Sequence, residues 1–177
     1  KSKLKAENFI IKKFKDSKIS FVILRLFNVA GANPRNLLGP YNSNYNHIFN
    51  KLIRNNKFQI YGDSYKTSDG TAVRDYIHPE DVVDAFYKSY IYLKKYSINS
   101  IFNCGSGKPF SVRNVVNFFI KYSKYKIELS YGKKRPGDPP YILSNNIKIK
   151  KKLKINFKRN NLRNIISDLV LWKSSLN

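Results

Sequence analysis

The chain reads as an α/β fold, and three observations in its sequence predict it. Helix-period and strand-like segments alternate along its length. Residues 19–27 form a continuous apolar run of the kind carried by strands inside parallel sheets. Residues 69–78, Asp-Gly-Thr-Ala-Val-Arg-Asp-Tyr-Ile-His, concentrate polar groups directly before a long helical pattern. The 177 residues are enough for one ordinary domain with a real core.

Taken in order, residues 2–16 predict an amphipathic helix, with Leu4, Ile10, Ile11 and Phe14 near helical spacing and lysines on the other faces. The buried strand at 19–27 follows and delivers Phe27 and Asn28 to its carboxyl end. Asn, Pro, Gly and Ser then dominate 31–46, which reads as a long loop. A short helix at 47–55 precedes a strand at 58–62. The decapeptide 69–78 is expected to be a rigid loop, opened by the Asp69-Gly70 turn pair. In it Arg74 is a fixed planar donor for an anionic ligand, or else one half of a solvated surface ion pair. A helix at 79–96 accepts Pro79 in its first turn. A strand at 101–104, a Gly105-Ser106-Gly107 turn and a helix at 111–123 come next. The remaining expectations are a strand at 125–131, a turn at 133–138, and helices at 145–153 and 162–172. No internal repeat is present.

Composition narrows the function. Hydrophobic residues make up 42% of the chain and aromatics 15%, which argues against disorder. The net charge of +23 raises nucleic-acid or anionic-membrane binding as a reading. However, the charge is mostly Lys, spread over many segments, alongside abundant Asn, Ile, Tyr and Phe, which is the usage expected of AT-rich codons. The one dense tract, 148–158, contains no Tyr or Trp to stack on bases, although Phe157 lies within it. Neither nucleic acid nor membrane is therefore expected as a partner. Cys104, the single cysteine, excludes an intramolecular disulfide and reads as a small buried thiol at a strand end. His47 and His78 are too few and too far apart for a metal cluster. No run of about 18 apolar residues suggests a membrane span, and a cytoplasmic compartment is the simplest expectation.

Four segments converge with one another: Lys3-x-x-x-Glu7; Phe27-Asn28 with the Ala30-Gly31-Ala32 loop; Asp69-Gly70-Thr71 running to Arg74-Asp75-Tyr76-Ile77-His78; and Arg135-Pro136-Gly137-Asp138. In this order they resemble the extended short-chain dehydrogenase/reductase family, in particular its UDP-glucose 4-epimerases, across essentially the whole chain. The resemblance implies the C-terminal part of a Rossmann-type doubly wound parallel sheet plus a small α/β substrate-binding domain. Residues 1–30 and 75–107 would belong to the NAD-binding domain, and 31–74 and 108–177 to the nucleotide-sugar domain. In the family's Tyr-x-x-x-Lys motif the tyrosine would stand two positions before Lys1. No G-x-G-x-x-G turn for a dinucleotide pyrophosphate occurs here, and there is no Met. The expectation is a C-terminal half of a longer enzyme, inactive alone.

The roles that follow from the resemblance are specific. Lys3 would lower the tyrosine pKa and bind the nicotinamide ribose of NAD, and Phe27 would meet the cofactor. Asn28 would contact the UDP-sugar and His47 would face it. Gln59, Ile60 and Tyr61 match a strand that reads uracil; for Ile60 and Tyr61 plain core packing is the equal alternative. Arg74 and Arg135 would neutralise the diphosphate and Asp138 would bind a ribose hydroxyl, while Tyr76 and His78 support the loop. Ile142, where relatives border the hexose N-acetyl region, leaves the sugar open. The implied activity is interconversion of UDP-glucose and UDP-galactose in galactose metabolism, by transient NAD-dependent oxidation at C4, in a homodimer joined through Rossmann helices. The alternatives are a nucleotide-sugar dehydratase or decarboxylase on the same scaffold, or a basic nucleic-acid-binding module.

Overall fold

A computed structural model describes residues 2–40 and 47–176. Its elements run α1 (Ser2–Phe14), β1 (Val22–Leu26), β2 (Asn28–Val29), α2 (Ile48–Arg54), β3 (Lys57–Tyr61), β4 (Val73–Ile77), α3 (Pro79–Tyr96), β5 (Ser100–Cys104), β6 (Pro109–Ser111), α4 (Val112–Ser123), β7 (Glu128–Gly132), α5 (Ile147–Leu153) and α6 (Leu162–Ser174). Alternation and periodicity thus placed the helices to within a few residues. Three small sheets result: β1 parallel to β5, β3 parallel to β7, and β4 between parallel β2 and antiparallel β6.

Two expectations are corrected. The apolar run 19–27 is not one buried strand. β1 pairs only with β5, and Leu26 is 42% exposed, because among the described residues no strand pairs with its second edge. At Phe27, whose N–H donates to the Cys104 carbonyl (3.1 Å), the chain changes neighbour, and Asn28 lies beside Tyr76 of β4. The second correction concerns 69–78. Only its start is a turn, since Val73–Ile77 is a strand buried along its whole length. Flanked on both edges, it has its backbone groups satisfied by the ladders, which a loop could not achieve at that depth.

β4 sorts its side chains by the period of two. Tyr76 joins one apolar core, with Ala30, Phe49, Ile60 and residues of α4 and α6, and Arg74 leans the same way. Ile77 joins the other core, with Val82, Tyr92 and Phe102. Ile149, Leu153, Ile155 and Phe157 also belong to that second core, so residues 108–177 contribute to both.

Asp75, on the same side of β4 as Ile77, has no exposed surface and accepts five hydrogen bonds: from Ser106 N–H (2.7 Å) and hydroxyl (2.6 Å), Gly107 N–H (3.0 Å), and Ser144 N–H (3.0 Å) and hydroxyl (2.6 Å). The carboxylate thereby ties β4 to the turn after β5 and to the segment before α5. Gly105 permits the approach, since a Cβ there would lie 2.7 Å from Asp75 Oδ2.

Candidate functional site

β4, β3, α2 and the turn after β7 surround a cavity of about 230 Å³. Arg74 reaches it from β4, nine-tenths buried. Its Nη1 donates to the Val73 carbonyl (2.7 Å), and its Nη2 pairs with Asp138. Asp138 closes the turn that starts at Arg135, its N–H donating to the Arg135 carbonyl at 3.2 Å with Gly137 at φ +74. The Arg135 guanidinium lies over the Tyr61 ring, 4.1 Å from its centroid. Such a face attracts a cation through its quadrupole. The Gln59 side chain lies over Gly132, where a Cβ would come within 2.8 Å of Nε2, so the β3–β7 pairing makes room for this amide.

His47 precedes α2 and also lines the cavity. Its Nε2 is buried without a hydrogen-bond partner among the described residues, and burial depresses its pKa. Tyr76 lines the floor, its ring meeting Phe49 edge-on at 5.5 Å, and burial raises its phenol pKa.

The structure therefore gathers Asn28, His47, Gln59, Tyr61, Arg74, Arg135 and Asp138 on one cavity. Ile60 is not among the lining residues. Alternation along β3 turns it into the core, where it is 1% exposed. Lys3 and Phe27 do not line the cavity either. Lys3 is exposed on α1, a helix with no buried residues. This helix is joined to β1 by the bidentate pair of Glu7 with Arg25 (Nε to Oε2 2.9 Å). Phe27 is half-buried at the β1–β2 junction.

Lys51 also lines the cavity, with its ammonium 5.8 Å from the Tyr61 centroid. Sequence reasoning missed it, although it stands four residues after His47 and so shares a helix face with it. Asp75 was missed as well; its position beside Arg74 disguised a purely internal role. His78, expected to support the motif, does so. Its Nδ1 accepts the Glu80 N–H (3.2 Å) and caps α3, while Nε2 lies 3.2 Å from Asp168 of α6.

Among the described residues no cluster of His, Cys, Asp and Glu could hold a metal ion. Nor is any helix among the described residues long and apolar enough to cross a membrane.

The model of the NAD dependent epimerase/dehydratase family matches residues 1–105. The chain belongs to that family. The UDP-glucose 4-epimerase of Azospirillum brasilense is 34% identical over 160 residues, covering 88% of this chain and 46% of the relative. UDP-arabinose 4-epimerase 1 of Arabidopsis thaliana is 34% identical over 182 residues, covering 98% of this chain and 43% of the relative. Among solved structures, UDP-glucose 4-epimerase from Bifidobacterium longum in complex with NAD+ and UDP superposes with a TM-score of 0.83 at 27% identity, over 98% of this chain and 53% of that one. The chain spans about half the length of the curated epimerase/dehydratase relatives it matches. Its parallel strands and covering helices are the α/β architecture of the family's Rossmann-type sheet.

Proposed function

We propose that this chain is the substrate-anchoring half of an NAD-dependent UDP-sugar 4-epimerase and that the cavity between β3, β4 and the Arg135 turn holds the uridine diphosphate. One observation carries the reading. Segments distant in sequence, Gln59-Tyr61, Arg74 and Arg135-Asp138, bring an amide, an aromatic face and two guanidinium groups to one site. An amide beside an aromatic ring suits a pyrimidine edge and face. Guanidinium forks suit phosphate oxygens, which they bind in paired, charge-assisted contacts. Asn28, at the carboxyl end of the β1–β2 run, stands where open α/β sheets receive ligands, at the sugar end of such a nucleotide.

In this reading the pair undergoing exchange is UDP-glucose and UDP-galactose, in the cytoplasm, and the UDP is held firmly while the hexose is free to turn. NAD would supply the hydride acceptor at C4. This chain offers it little: Lys3 for the ribose and Phe27 for the ring edge, with no glycine-rich turn in its sequence for the pyrophosphate. NAD therefore does not fit these residues alone, and this chain's own chemistry is binding and orientation. The isolated chain is accordingly expected to be inactive. A homodimer through the Rossmann helices belongs to the same reading, and the exposed Leu4 and Phe9 of α1 support it.

Calorimetric titration of UDP into this chain tests the anchor, with saturable binding expected. Incubation with UDP-galactose and added NAD tests the rest: no conversion is expected, and clear turnover would overturn the division of labour.

A further inference from the structure

We infer that Lys51 is a binding residue for the diphosphate of the substrate, presented together with Arg135 by the ring of Tyr61. The inference rests on the reading of the cavity as a UDP-sugar site and adds a cation to it. Three cationic side chains line the cavity, Lys51, Arg74 and Arg135, and one carboxylate, Asp138, which is already paired with Arg74. Arg74 is thus largely neutralised before any ligand arrives. Among the described residues, Lys51 and Arg135 meet no carboxylate. Their common neighbour is the aromatic face of Tyr61, 5.8 Å from the Lys51 ammonium and 4.1 Å from the Arg135 guanidinium. Two uncompensated cations match a sugar nucleotide, in which each phosphate carries one negative charge.

The helix explains why Lys51 faces inward. Positions four apart share a face, and His47 and Lys51 both line the cavity, with Ile48 beside them. The opposite side of α2 is fixed by the buried Phe49, Leu52 and Ile53. A cation–π contact holds a cation in place without cancelling its charge, so the ring gathers both groups and leaves them available to an anion. Tyr61 is in this respect a positioning residue, and its aromatic face matters more than its hydroxyl.

The test is calorimetric titration of UDP-glucose and of uridine into the wild-type chain and its Lys51→Gln, Lys51→Arg and Lys121→Gln variants, with circular dichroism to show that each is folded. Lys51→Gln is expected to weaken UDP-glucose about 5- to 10-fold, the range of a partly solvated charge-assisted contact, and to leave uridine within about twofold. Lys51→Arg should restore most of the loss, and Lys121→Gln, on the exposed end of α4, should change neither ligand. If the wild type binds UDP-glucose and Lys51→Gln binds it equally well, Lys51 is not a ligand contact and the inference is overturned. Equal losses for uridine and UDP-glucose would assign Lys51 to shape rather than charge and overturn it as well. A wild-type chain that binds neither ligand would bring down the reading of the whole cavity.

Discussion

Replacing Asp75 by Ala should be among the most damaging single changes available in this chain. The carboxylate has no exposed surface and accepts three backbone N–H groups and two hydroxyls. The hydroxyls of Ser106 and Ser144 can turn to other acceptors, whereas the N–H groups of Ser106, Gly107 and Ser144 cannot. Each buried N–H left unpaired costs about 1–3 kcal/mol, and partial relaxation or water entry recovers some of that. The sum points to a loss of about 3–5 kcal/mol, a large share of the roughly 5–15 kcal/mol that holds a domain together. In urea, at an m-value of about 2 kcal/mol/M, the midpoint would fall by about 2 M. Unfolding followed by far-ultraviolet circular dichroism measures this directly. If Asp75→Ala is unfolded at the outset, Ser144→Ala provides a graded version, with an expected loss of about 1–2 kcal/mol. A loss below about 1 kcal/mol for Asp75→Ala would mean that the network does not tie β4 to its neighbours.

Other expectations concern the site and its supports. Arg135→Ala should weaken UDP binding about 10- to 150-fold, from about 1.5–3 kcal/mol of charge-assisted contact, while Lys151→Ala, at an exposed position of α5, changes little; equal effects by calorimetry would make the arginine structural. Gly31→Ala should destabilise by about 1–3 kcal/mol, because φ is +118 and a Cβ would sit 2.7 Å from His78 Cδ2; an unchanged melting temperature would contradict this. Burial depresses both His47 and His78, so acid protonates the unfolded chain before the folded one. Stability should be complete above about pH 6.5 and fall as the pH drops below it, less steeply in His47→Gln; urea midpoints at pH 7.5 and 5.5 measure the fall, and a rise on acidification would refute it. The Cys104 thiol, pushed up to about 12 chiefly by burial, should resist alkylation at pH 8 in the native protein and react once it is unfolded, as mass spectrometry would show.

What was legible in the sequence was local. Helical spacing located α3, α4 and α6, and the structure adds their caps: His78, Ser111 and Asn161 each accept a hydrogen bond from an N–H in the first turn. The motif residues that line the cavity could be named only through the resemblance of their segments to family motifs. What the tertiary structure decided was which side each of them faces and what stands opposite. Residues 73–77 carry too many polar groups to read as a strand. They form one because β2 and β6 satisfy both edges, and alternation then sends Arg74 to the cavity and Asp75 to Ser106 and Ser144. The same alternation gives Ile60 to the core while Gln59 and Tyr61 line the site. Among the many lysines, only packing singles out Lys51, because its meeting with Tyr61 depends on α2 lying beside β3. Periodicity is written in neighbouring residues. Partnership depends on contacts between segments whose separation in sequence carries no signal of their approach.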